Sequence, residues 1–241
     1  MLIPGDDPRV TAATAAIQAG DVASLTRLLS EHPELGTARV AATDPDCRDT
    51  RTLLHVATDW PGHFAEGPAT VAALVAAGAD VNAHADAGHH RETPLHWAAS
   101  SNDVAVLDAL LDAGADIEAD GAVIAGGTAM ADATAFANWD AARRLLARGA
   151  RTTLWEASAL GLSDRVEAHL AADPRPSPEN VTGAFWAACH GGQRPTAELL
   201  LAGGADPEWV GWDDVTAAGA ARRNGFDEVA DWAGSLGRPG D

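Results

Sequence analysis

Between Thr93 and Ala119 the apolar positions run in two helical stripes, separated by a turn and closed by a glycine. Thr93 offers a hydroxyl that caps a helix. Pro94 suits the first helical position, where no backbone donor is needed, and Leu95 opens the apolar face. Ala98 and Ala99 are small enough to admit a second helix closely, and Val104, Leu107, Leu110 and Leu111 recur along one face of that helix. Gly114 ends it in the left-handed conformation that glycine adopts without steric cost, and residues 115–119 lead away as a loop. Such a helix pair cannot cover its own apolar faces, so it predicts stacked copies on either side.

The copies can be found by spacing. Thr93 to Gly114 is 21 positions, and so are Thr128 to Gly149 and Gly183 to Gly204. Thr52 to Gly78 is 26, so five extra residues lie between the helices of that copy, within the Pro- and Gly-bearing segment 59–68. Pro and Gly forbid a simple extension of either helix there, so the segment is expected to loop out.

The TPLHWAA start and the GADIEA exit closely resemble the ankyrin repeat. The resemblance implies an all-α solenoid of helix-turn-helix repeats, and the 241 residues hold about seven at the family period of roughly 33. The expected organisation is one domain. It comprises an N-terminal cap repeat (10–40), a repeat carrying the insertion (41–83), the best-matching repeat (84–119), a fourth (120–151), a degenerate fifth (152–178), a sixth (179–206) and a C-terminal cap (207–237), with the tail after Leu236 frayed. The segment 120–127, DGAVIAGG, reads as a hairpin finger, and 173–180 as an irregular Pro-rich loop. The resemblance also implies that His55 and His96 are structural, their rings bonded to the cap threonine and to neighbouring loop backbone. Trp155 and Trp186 are read as replacing that histidine in later repeats.

Charge narrows the partner. With 35 acidic and 16 basic residues, all of the latter Arg, the net charge of −19 repels a nucleic-acid backbone and an anionic membrane. It permits a protein with a basic or mixed surface. The N-terminus lacks the basic-then-apolar pattern of a targeting segment and no apolar run is long enough to span a membrane, so a cytoplasmic location is expected. Cys47 and Cys189 form no metal pair or disulfide framework, and Cys189 reads as a small buried hydrophobe. Asp44, Asp46 and Asp49 precede the helix at Thr52 without calcium-loop spacing, so they read as helix electrostatics. No metal or other cofactor is implied, and no recognised catalytic motif is present.

Function is therefore sought on the surface. The resemblance implies that fingers and first helices line a concave face at which other proteins bind. Mapped onto this chain, the face-lining positions are Asp59, Trp60, His89, His90, Glu92, Ser100, Ser101, Ala135, Phe136, Ala159, Leu160, His190, Gly191, Arg223 and Asn224. Trp60 is the natural anchor, since Trp dominates energetic hot spots. Trp97, Trp139 and Trp232 fall at core positions, whereas Trp209 and Trp212 either face the groove or cover the cap.

The loop histidines His63, His84, His89 and His90 are called for by no architectural rule. They are solvated loop residues, a weak metal site or an acid–base group. Two functions follow. The leading one is a protein-binding module with an acidic concave face. The alternative is a small-molecule site or cofactor-independent enzyme in which the 59–68 insertion, with Trp60, His63 and Phe64, roofs the 84–92 loop, with His63, His89, His90 and Glu92 as its catalytic groups.

Overall fold

The computed structural model describes residues 1–44, 46–86 and 90–236. Two compact units are distinguished, Met1–Ala150 and Arg151–Asp241.

In the first unit the chain runs β1 (Leu2–Ile3), α1 (Pro8–Ala19), α2 (Val22–Glu31), the single turn α3 (Glu34–Thr37), β2 (Arg39–Ala41), β3 (Thr50–Arg51), α4 (Leu53–Thr58), α5 (Gly67–Ala76), α6 (Pro94–Ser100), α7 (Val104–Asp112), α8 (Ala129–Ala135) and α9 (Trp139–Ala147). The first helices of successive pairs pack on one another, α1 on α4, α4 on α6 and α6 on α8. The second helices do the same, from α2 through α5 and α7 to α9. Small residues make this approach possible: Ala57, Ala98, Ala99 and Ala133 are wholly or almost wholly buried between layers that Leu54, Leu74, Leu107, Leu110 and Leu145 fill.

The histidine–threonine caps form as the resemblance implies. Nδ1 of His55 accepts from the Thr52 amide at 3.2 Å and lies 2.9 Å from its hydroxyl, while Nε2 faces the Glu92 carbonyl at 3.1 Å. His96 repeats this with Thr93 and with the Gly127 carbonyl at 3.3 Å. Each ring thus ties a helix start to the following finger.

A small sheet, order β1-β2-β3, adds strand structure to the helical scaffold. Leu2 and Ile3 pair in parallel with Arg39 and Val40, so the N-terminal residues are part of the unit. The segment 120–127 folds back on itself through Ala122 and Gly127, with the Ala122 amide donating to the Gly127 carbonyl at 3.0 Å. Its turn follows too soon for a strand ladder to form.

In the second unit the pairs are α10 (Leu154–Ala159) with α11 (Ser163–Leu170), α12 (Pro178–His190) with α13 (Arg194–Ala202), and α14 (Ala217–Arg223) with α15 (Asp227–Leu236). Two expectations change here. Helix α12 begins at Pro178, well before Gly183, because Ser177 caps it by accepting from the Asn180 amide and Pro178 occupies the first helical position. The residue that takes the histidine's capping place in α10 is Glu156, which accepts from the Thr153 amide at 2.7 Å, while Trp155 sits one position earlier. Residues 237–241, and with them the expected frayed tail, lie outside the described residues.

Candidate functional site

A half-open groove of about 750 Å³ lies in the first unit. One wall is the face of α1 bearing Thr11, Thr14, Ala15 and Gln18; the other is the finger between β2 and β3, with Asp44, Cys47 and Asp49 on it. Val10, Val40, Val56 and Trp97 contribute apolar surface. The geometry follows from the repeat: the first helix and the finger before the next helix meet at an angle and leave the space between them open. Arg51 lines the groove too, but its guanidinium is held by Asp59 at 2.6 Å.

The residues singled out from the sequence fall in two rows, not one. Asp59 and Trp60 follow α4, Ser100 and Ser101 close α6, and Phe136 follows α8, so all five stand at the turn end of the first helices. Trp60 is 81% exposed and Phe136 48%. His90 and Glu92 stand at the other end, just before the Thr93 cap. The seven residues of α6 separate the rows by roughly 10 Å.

The insertion belongs wholly to the turn row. It does not swing free: the His63 amide donates to Oδ2 of Asp103 at 2.7 Å and the His63 ring faces the Ser101 carbonyl at 3.0 Å. Phe64 is half-buried, and the chain re-enters a helix at Gly67, itself buried against Val106. Asp103 also caps α7 through the Val106 amide, so one buried carboxylate serves both purposes. Among the described residues, the insertion therefore does not close over the 84–92 loop. His63 is at one end of α6, His90 and Glu92 at the other, and His89 lies outside the described residues. His84 bonds the Arg91 carbonyl within its own finger.

One polar contact escaped the sequence reading. Asp132, on α8, is fully buried, accepts from the Ile124 amide at 3.3 Å and meets the carboxyl of Glu92, which itself accepts from the Trp97 indole at 3.2 Å. Burial first, then the Glu92 charge, lifts Asp132 to about 7, and burial also raises Glu92. Nothing in the local sequence marks Asp132, because its partner is in another repeat. Among the described residues, no group of three or more His, Cys, Asp or Glu is gathered as for a metal ion.

In the second unit His190 is not part of an exposed stripe. It is 2% exposed, stacks on Trp186 with ring centroids 5.1 Å apart and accepts from the Asn224 amide group at 2.8 Å. Gly191 is pressed against the Ala159 carbonyl, and Leu160 is half-buried beside the turn at Gly161. Trp212 packs edge-on against Trp155, Trp186 and Trp209, and half of its surface stays exposed.

A family model for ankyrin repeats matches residues 64–155 as three copies. The chain contains ankyrin repeats. The fold extends further than that match: the crystal structure of the human ASB11 ankyrin repeat domain superposes with a TM-score of 0.53 over 95% of this chain and 99% of that one, at 20% identity. At this identity the likeness is one of fold. No curated protein matches the sequence. Ankyrin repeats are generally protein-interaction modules, and no described helix of these repeats is long and apolar enough to cross a membrane.

Proposed function

We propose that the chain is a protein-binding module that engages its partner through the groove of the first unit, in the cytoplasm and without a cofactor. The observation that carries this reading is the groove itself, walled by a first helix on one side and an acidic finger on the other. The excess of acidic residues directs it toward a partner with a basic or mixed surface. Trp60 and Phe136, exposed along the turn row, are candidate anchors at the edge of a larger footprint, with Asp59 and Ser101 beside them. The small-molecule alternative rested on the insertion closing over the 84–92 loop, and the position of His63 at Ser101 gives it no support.

The test is partner capture from cytoplasm by the intact chain and by Thr14→Arg, which projects a long cation into the groove from an α1 position that is not core. The expected outcome is that the variant keeps its melting temperature and loses the partner. Equal capture of the same proteins by both would remove the groove from the function.

A further inference from the structure

Beyond the groove, we infer that a tryptophan-bearing turn in the second unit receives an arginine side chain from a partner protein. The turn is the segment EWVGWDDVT, residues 208–216.

Packing fixes the turn in place. The Trp212 ring stands edge-on to Trp155, Trp186 and Trp209, with centroids 5.9, 5.1 and 5.3 Å away. Its tip reaches α12 at Gly183, where an added Cβ would stand 3.4 Å from it. Gly211 lets the indoles close on one another, since a Cβ there would meet Trp209 at 2.6 Å and the Trp186 ring nitrogen at 2.7 Å. That nitrogen donates to the Val215 carbonyl at 2.8 Å, which also accepts from the Gly211 amide at 3.0 Å. A bridge between Val210 and Thr216 ties the two ends of the turn together.

This anchoring leaves apolar surface bare. Trp212 is 50% exposed and Val210 52%. A large aromatic already held in one position costs little further ordering when a partner covers it, which is the property of a good interface anchor.

Charge decides the occupant. Glu208, Asp213 and Asp214 are exposed on the same turn, the two aspartates at φ +59° and +54°, where residues other than glycine are uncommon. Arg223 holds Asp213 at 3.0 Å, whereas the side chains of Glu208 and Asp214 make no hydrogen bond or ion pair among the described residues. Among the described residues no cation lies over Trp212 either; the arginine that stacks on an indole, Arg194, does so on Trp232. An exposed indole beside bare carboxylates repels phosphate and carboxylate groups and attracts a cation. Arginine suits it better than lysine, because a flat guanidinium lies along the indole while its N–H groups reach a carboxylate.

The test is a titration of the intact chain, isotope-labelled in its eight tryptophans, with the indole N–H signals read by NMR and that of Trp212 assigned through its backbone. The probes are the capped amides of arginine, lysine and citrulline, the last keeping the planar shape of arginine without its charge. The arginine amide is expected to shift the Trp212 signal with an affinity about five-fold or more above that for citrulline and above that for lysine, and to weaken as salt is added. Trp60 is the internal control, being 81% exposed beside an Asp59 that Arg51 already holds, and its signal should move less. Glu208→Gln with Asp214→Asn should keep the melting temperature, since asparagine tolerates the left-handed backbone, and should bring arginine down to the citrulline level.

Equal affinity for arginine and citrulline, lysine binding as tightly as arginine, a Trp60 shift as large as that of Trp212, or an arginine preference that survives the double variant each overturns the inference. A Trp212 signal that shifts with protein concentration alone and ignores the arginine amide also overturns it, and assigns the turn to a second copy of the chain.

Discussion

Asp132 and Glu92 hold their carboxyl groups together across the boundary between the third and fourth repeats, and no N–H or hydroxyl reaches Oδ2 of Asp132. Burial and the neighbouring carboxyl both favour the protonated form of Asp132 over its anion. A buried group of this kind makes stability depend on pH, and the direction is set by which state holds more protons.

The folded protein keeps a proton on Asp132 up to about pH 7, whereas the free side chain releases it near 3.8, so through this residue stability falls as pH rises across that interval. The raised Glu92 acts in the same direction. His55 and His96 act oppositely: burial pushes each from 6.5 down to about 4, so stability falls as pH drops through that window. Asp132→Asn keeps a donor for Glu92 and removes the opposing carboxyl. It is expected to raise unfolding free energy by about 2–4 kcal/mol near pH 8 and to steepen the loss on the acid side. Urea titrations at three pH values check this; a variant less stable at pH 8 with an unchanged slope would refute the raised Asp132 carboxyl.

Asp103 and Asp21 cap equivalent second helices but do different amounts of work. Asp21 is exposed and accepts from the Ser24 amide, so Asp21→Ala should cost little. Asp103 is buried and also holds the His63 amide, so Asp103→Ala should cost roughly 3 kcal/mol and expose the 59–66 segment to proteolysis. Equal costs for the two variants would mean that the insertion is not anchored by this carboxylate.

Gly191 and Gly114 separate steric need from backbone need. Gly114 has φ +94° with nothing within 4 Å of an added Cβ, so Gly114→Ala should cost only about 1 kcal/mol. Gly191 has an ordinary φ, but a Cβ there would overlap the Ala159 carbonyl oxygen, and the peptide backbone cannot move aside. Gly191→Ala should therefore cost several times as much, read as a loss of the melting transition that reports the second unit.

Trp60→Ala should leave the unfolding midpoint within about 0.5 kcal/mol of the parent, because so little of the side chain is covered. In partner capture it should weaken binding less than Thr14→Arg does. The reverse ranking would move the centre of the footprint from the groove to the turn row.

The repeat pattern was readable because its signals are local. Thr93, Pro94 and His96 sit within one helical turn, and Gly114 acts through its own φ. The same locality explains one helix start and one cap that differ: the Gly183 spacing points to a repeat, yet Ser177 and Pro178 already satisfy the helix end, and Glu156 rather than Trp155 stands where the cap needs an acceptor. His190 was placed on the surface by family register alone, and its burial depends on Trp186 and on Asn224 in the next helix pair.

The sequence by itself determined the helix pairs, their caps, the small residues that let layers approach and the place where one copy is longer, since each depends on neighbours a few positions away. Only the tertiary structure decided that the insertion is pinned to Asp103, that Glu92 meets Asp132, and that α1 and the 39–51 finger leave a groove between them. Those outcomes join residues of different repeats. The position of one repeat's side chains relative to the next is fixed by how the layers pack, which no spacing within a single repeat encodes.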